Sequence, residues 1–214
     1  MVGADLEYVE RLLRAHAIKG PVLELGTGYG GTTCRAIIEA NRLMYYGTDL
    51  QAGSGVDEPA NFERREEMAA FSRIAPVGTV LILNVLEHTF DPISVLDNAR
   101  SLLMRDGALV VLTPAIWPLH NFPMDTWRIL PNFYEEYARR RGMRLIVEYF
   151  EYVGFGPVSQ FRDDKSLYSF PPPARKGWRL AYGRVLHKAL NTFGRAMFHP
   201  SHVAVGAVLV RDAS

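Results

Sequence analysis

Cysteine is almost absent from this chain of 214 residues. The one thiol, Cys34, excludes an intrachain disulfide framework and a cysteine zinc cluster. A reducing, cytoplasmic setting is the expectation. Excess charge of either sign is missing too: 24 Lys and Arg stand against 23 Asp and Glu, a formal net charge of +1. With no global field to hold a polyanion, nucleic-acid binding by bulk charge is disfavoured. Long apolar runs are lacking as well. The stretch from Ala108 to Leu119 is broken by Thr113, Pro114 and Pro118, too short to span a bilayer, and no basic-then-apolar leader opens the chain. What remains is ordinary globular composition, 48% hydrophobic and 22% charged, which suits one domain over residues 1–214.

Leu6, Val9, Leu13 and Ala17 recur at helical spacing between Asp5, read as an N-cap, and the breaker Gly20-Pro21. Val22 to Leu25 is a short apolar run that meets a glycine loop, and Thr32 to Arg42 has helical character. Leu43 to Thr48 gives a second strand ending at Asp49, and Thr79 to Val85 a later one ending near Glu87-His88. Asp91-Pro92 pairs an N-cap with proline at the first helical position, and Gly107 is the expected stop. Ala108 to Thr113 reads as a strand, Phe133 to Arg141 as a helix, Arg144 to Tyr152 as one strand and His202 to Val210 as the last. Strands that alternate with helices and run continuously apolar imply α/β architecture, a mainly parallel sheet covered on both faces. Pro171-Pro172-Pro173 stiffens a linker, and the helical pattern from Trp178 to Phe198 is basic. No acidic residue lies between Ser166 and Arg211.

Gly26-x-Gly28-x-x-Gly31 satisfies a dinucleotide fingerprint, with Asp49 about where a ribose-binding acid belongs. Glu24 argues for a different ligand. A carboxylate at the end of that strand opposes a pyrophosphate, whereas it suits the sulfonium and ammonium of S-adenosylmethionine. Asp49 then takes the ribose hydroxyls.

The run Val22-Leu23-Glu24-Leu25-Gly26-Thr27-Gly28-Tyr29-Gly30 resembles the first motif of the class I S-adenosylmethionine-dependent methyltransferases. Leu81-Ile82-Leu83-Asn84-Val85-Leu86-Glu87-His88 resembles the strand-four motif of their small-molecule, bacterial branch, and Ala99 to Ala108 the helix, glycine and strand five that follow. The resemblance implies a Rossmann-like, doubly wound sheet of seven strands, the last antiparallel, with cofactor and substrate at the carboxyl ends. It also implies cofactor contacts from Glu24, Gly26, Thr27, Gly28, Tyr29, Gly30, Asp49, Leu50 and Asn84. Two departures stand out. No third strand is visible between Asp49 and Thr79, leaving Asp57 and Asn61 as guesses for the adenine side. A long helical insertion or lid, residues 157–199, precedes the final strand.

Alkyl transfer from a sulfonium needs alignment and, for a hydroxyl acceptor, a base. Histidine suits that task near neutral pH, and His88 and His120 both fall in crevice loops, with Asp125 close behind the second. The leading expectation is O-methylation of a small molecule or glycan-containing metabolite, with His88 or His120 as base and no metal. N- or C-methylation by alignment is a second reading. A non-catalytic methyltransferase-like partner protein and a nicotinamide oxidoreductase come from other classes; the glycines and crevice histidines oppose the former, Glu24 the latter. The basic helix, residues 174–198, is either a solvated helix with a buried stripe, an edge for an anionic acceptor, a membrane-surface element or a contact between copies.

Overall fold

A computed structural model describes residues 3–28, 33–117, 119, 124–154 and 203–212. Four strands run parallel: β1 (Val22–Leu25), β2 (Tyr45–Thr48), β3 (Val77–Leu83) and β4 (Leu103–Ile116). Three more, β5 (Met143–Leu145), β6 (Glu151–Gly154) and β7 (Val203–Arg211), complete a mixed seven-stranded sheet. Its order is β2-β1-β3-β4-β7-β5, with β6 also on β7, and β7 is antiparallel to β4, β5 and β6.

Alternation along each strand divides the core. Leu23, Leu25, Val80, Ile82, Leu109 and Val111 face α3 (Pro92–Ser101) and α4 (Pro131–Arg141). Val22, Leu81, Leu83, Val110 and Leu112 face the other way, toward α1 (Gly3–Arg14) and α2 (Arg35–Ala40). A strand buried on both faces is apolar or has its polar groups paired, and β3 reads Val-Gly-Thr-Val-Leu-Ile-Leu, its Thr79 hydroxyl donating to the Lys19 carbonyl at 2.9 Å. Full burial of each such side chain contributes about 1.5–3 kcal/mol.

Several expectations shift. Asp91 does cap α3, its carboxylate accepting the Ser94 N–H at 3.0 Å. Gly107 does not stop that helix, because α3 ends at Ser101 and Leu103 already pairs with Val77. Asp106, at φ +57°, turns the chain inside β4 instead. Residues 50–76 contain no strand, only a 3-10 segment over Arg65–Arg73. The stretch read as one strand, Arg144 to Tyr152, is cut by a 3-10 turn at Val147–Tyr149 into β5 and β6. That turn offers the Tyr149 carbonyl to the Tyr8 hydroxyl of α1 at 2.7 Å. Seven strands result, with the split supplying one in place of the absent third.

Asp5 is not an N-cap. It lies within α1, 3% exposed. The insertion over residues 157–199 and the basic helix over 174–198 lie outside the described residues. Among those described, no helix is long and apolar enough to cross a membrane.

Candidate active site

The carboxyl ends of β1, β2 and β3 build the site. Leaving β1, the chain enters Gly26 at φ +81°, a conformation that glycine adopts without penalty; an added Cβ would lie 2.8 Å from Val85 Cγ2. The glycine loop therefore rests against the turn that ends β3. At Gly28 a Cβ would come within 3.1 Å of Asp49. Instead the bare N–H donates to Asp49 Oδ2 at 2.9 Å, and the Leu50 N–H donates to Oδ1 at 2.7 Å. Thr27 is buried, its hydroxyl donating to the Gly55 carbonyl at 3.1 Å. Leu50 leaves its side chain open beside the Asp49 carboxylate.

Glu24 is buried and serves the loop from within. Its Oε2 accepts the Cys34 N–H at 2.8 Å and the Tyr45 hydroxyl at 2.7 Å. Burial raises its pKa, opposed by those two hydrogen bonds. The carboxylate so ties the start of α2 to β1 and β2 and holds both ends of the loop in register.

Asn84 follows β3 at φ +55°, which costs a non-glycine residue about 1 kcal/mol or more. Its N–H donates to the Leu112 carbonyl at 2.8 Å, and its Nδ2 donates to Asp5 Oδ2 at 2.9 Å. The turn Leu86–His88 comes next. Glu87 is 1% exposed with no hydrogen-bond partner for either carboxylate oxygen. Burial, opposed by its own backbone N–H and by Arg128 and aided by the charges of Asp125 and Asp5, raises its pKa to about 8. His88 places Nδ1 2.6 Å from the Met124 carbonyl oxygen and Nε2 3.8 Å from Glu87 Oε1.

Residues 124–128 strap this turn. The Thr126 N–H and hydroxyl both donate to the Glu87 carbonyl, at 2.8 and 2.9 Å. Arg128 forks onto Asp125, with Nη2 to Oδ2 at 2.6 Å, and Asp125 is fully buried. Beside the strap an apolar groove is lined by Phe90, Ile93, Trp127 and Leu130.

Of the residues expected from sequence, Glu24, Gly26, Thr27, Gly28, Asp49, Leu50, Asn84, His88 and Asp125 are described, and they cluster at the strand ends. Tyr29, Gly30 and His120 lie outside the described residues. Asp57 and Asn61 brace loops: Asp57 Oδ2 accepts the Gly47 N–H at 2.7 Å, and Asn61 Oδ1 accepts the Glu63 N–H at 2.9 Å. From the sequence, Glu87 is weighed only as a metal ligand beside His88 and His120, with metal-free catalysis preferred. Asp5 is assigned no part in the site, and its bond to Asn84 joins positions 79 apart in the chain. Among the described residues no three His, Cys, Asp or Glu side chains group to hold a metal.

These residues fit S-adenosylmethionine. Gly26 and Gly28 bring the loop backbone close against Val85, Val56 and Asp49 where a side chain would collide, and Asp49 sets a carboxylate beside the Gly28 N–H at the end of β2. A family model described as a methyltransferase domain matches residues 6–160. No curated protein matches. Similar solved structures include a SAM-dependent methyltransferase from Archaeoglobus fulgidus (16% identity, 96% of this chain and 94% of that one, TM-score 0.54). Another is a Burkholderia thailandensis 1,6-didemethyltoxoflavin-N1-methyltransferase with bound S-adenosylhomocysteine (12% identity, 98% and 79%, TM-score 0.55). A third is the YcgJ protein from Bacillus subtilis (9% identity, 97% and 99%, TM-score 0.53). At these identities the structures speak for the fold, and the family model speaks for the activity. The chain belongs to the methyltransferase domain family and is an S-adenosylmethionine-dependent methyltransferase.

Proposed function

We propose that the enzyme methylates a hydroxyl oxygen of a small-molecule or sugar-containing acceptor, with His88 as the general base. The observation that carries this reading is the 2.6 Å contact between His88 Nδ1 and the Met124 carbonyl oxygen. A carbonyl only accepts, so Nδ1 carries the proton, and in the neutral ring the basic lone pair is on Nε2. S-adenosylmethionine supplies an electrophilic methyl group. Nε2 would take the proton of the acceptor hydroxyl as that oxygen is methylated. The strap holds the imidazole by its other nitrogen, a geometry that favours one tautomer.

Asp125 has a supporting part in this reading. Paired with Arg128 and buried, it fixes the strap that carries Met124. His120 is the second histidine assigned to proton removal. Trp127, 43% exposed at the groove, offers an indole face suited to the C–H face of a sugar ring. A contact between copies or with a membrane surface through residues 174–198 belongs to the same proposal.

The cofactor half of the reading is tested at Asp49. A charge-assisted hydrogen bond of this kind contributes about 1.5–3 kcal/mol. Asp49→Ala is expected to weaken S-adenosylhomocysteine binding at least about tenfold by calorimetry, with a cooperative melt retained. An unchanged dissociation constant would remove Asp49 from the site. The acceptor half is tested by offering hydroxylated and amino acceptors with labelled S-adenosylmethionine and locating the label by mass spectrometry. Label on oxygen is expected; label on nitrogen or carbon contradicts the reading.

A further inference from the structure

Burying a carboxylate without a donor is costly, and a fold that keeps one has a use for it. Glu87 is such a residue. Thr126 serves its backbone carbonyl, yet both carboxylate oxygens are buried with no hydrogen-bond partner.

The charged and titratable groups around it come from the strap, α4, α1 and its own turn. From the strap, Arg128 forks onto Asp125, so that cation already serves a second acid. From α4, Tyr134 sets its hydroxyl 2.5 Å from that of Thr113. Burial raises the Tyr134 pKa, the bond to Thr113 opposes the rise and the Glu87 charge adds to it. From α1, Asp5 contributes a like charge. From the turn itself, His88 places Nε2 3.8 Å from Glu87 Oε1.

At that separation the two groups share no hydrogen bond, but opposite charges act strongly across a desolvated gap. A neutral imidazole gives the carboxylate no compensation. An imidazolium does, and the carboxylate in turn holds the proton on the ring. Nδ1 keeps its proton against the Met124 carbonyl, so Nε2 is where the ring gains or loses one.

We infer that Glu87 is a positioning residue for His88: its buried carboxylate is the counter-charge for the imidazolium formed when Nε2 takes a proton, and the two side chains titrate as one pair. The inference rests on the reading of His88 as the base. The proton passes from the acceptor hydroxyl to Nε2, and Glu87 touches no substrate. Within the turn Leu86–His88 the acid is sealed in the wall, while the imidazole, 19% exposed, stays within reach of an acceptor.

The test needs no acceptor. The full chain carrying isotope-labelled histidine is titrated by NMR from about pH 5 to about pH 9, with the His88 signals identified by their loss in His88→Ala. Glu87→Gln is expected to lower the His88 midpoint by about one pH unit or more, about tenfold in proton affinity, and Glu87→Asp to restore part of it. The exposed His16 serves as control and should stay within about 0.2 units of the parent. A His88 midpoint equally unmoved in Glu87→Gln overturns the inference. Should that variant not fold, the parent decides: a His88 curve in two steps, the upper one following Glu87 at about 8, supports the pairing, and a single step overturns it. Because the midpoint is read without turnover, the two readings fail separately. Parent turnover in His88→Ala removes the base and with it the role given to Glu87, whereas an unmoved midpoint removes the pairing alone.

Discussion

His88→Ala is expected to lower turnover by about two to four orders of magnitude, while affinity for S-adenosylhomocysteine stays within about twofold. The imidazole is held by Met124 through Nδ1, and its Nε2 lies 3.8 Å from Glu87 Oε1. Alanine removes the proton acceptor and leaves the glycine loop, Asp49 and Asn84 untouched. A rate loss confined to kcat, with the acidic limb of the pH profile abolished, identifies proton removal. Turnover within about threefold of the parent would take His88 out of the chemistry. The same measurement on His120→Ala assigns the base to one histidine or divides it between two.

Glu87→Gln is expected to stabilise the fold above pH 7. The folded-state pKa of Glu87 lies at about 8, above the ordinary 4.5, chiefly because burial penalises the carboxylate. Between those values the folded state binds more protons than the unfolded state, so stability falls as pH rises through the interval. Below pH 4.5 the penalty is absent; above pH 8 it is complete, at on the order of 5 kcal/mol. Glutamine fills the same volume without a charge. Denaturant melts should show parent and variant nearly equal at pH 5 and the variant more stable at pH 8. A gap independent of pH would mean that the carboxylate is not the cause.

Much of this fold is legible along the chain because burial on both faces forces continuous apolar strands. Thr79 to Val85 and Ala108 to Thr113 are read that way, the first strand running Val77–Leu83 in the fold, and Asp91-Pro92 marks a helix start by local chemistry alone. The absence of a strand after Asp49 is legible for the converse reason, as Gln51 to Asn61 is polar and glycine-containing, with no continuous apolar run. Reading fails where a distant partner decides. Asp5 has the local credentials of an N-cap, yet it is buried and accepts from Asn84, 79 positions away. Arg144 to Tyr152 alternates like one strand until the Tyr8 hydroxyl claims the Tyr149 carbonyl. At the site, the glycines, Asp49 and His88 declare themselves by residue type and spacing. Glu87 declares only its position; its missing donors are a property of packing. Glu24 was expected to face the cofactor, and the charge argument does not foresee its ties to Cys34 and Tyr45.

The central claim is that the strand ends bind a sulfonium cofactor or its thioether product, not a dinucleotide. Calorimetric titration of the purified full chain with S-adenosylhomocysteine and, separately, with NAD tests it most directly. Saturable one-to-one binding of S-adenosylhomocysteine with no heat from NAD is the predicted result, whereas binding of NAD without S-adenosylhomocysteine would contradict the account.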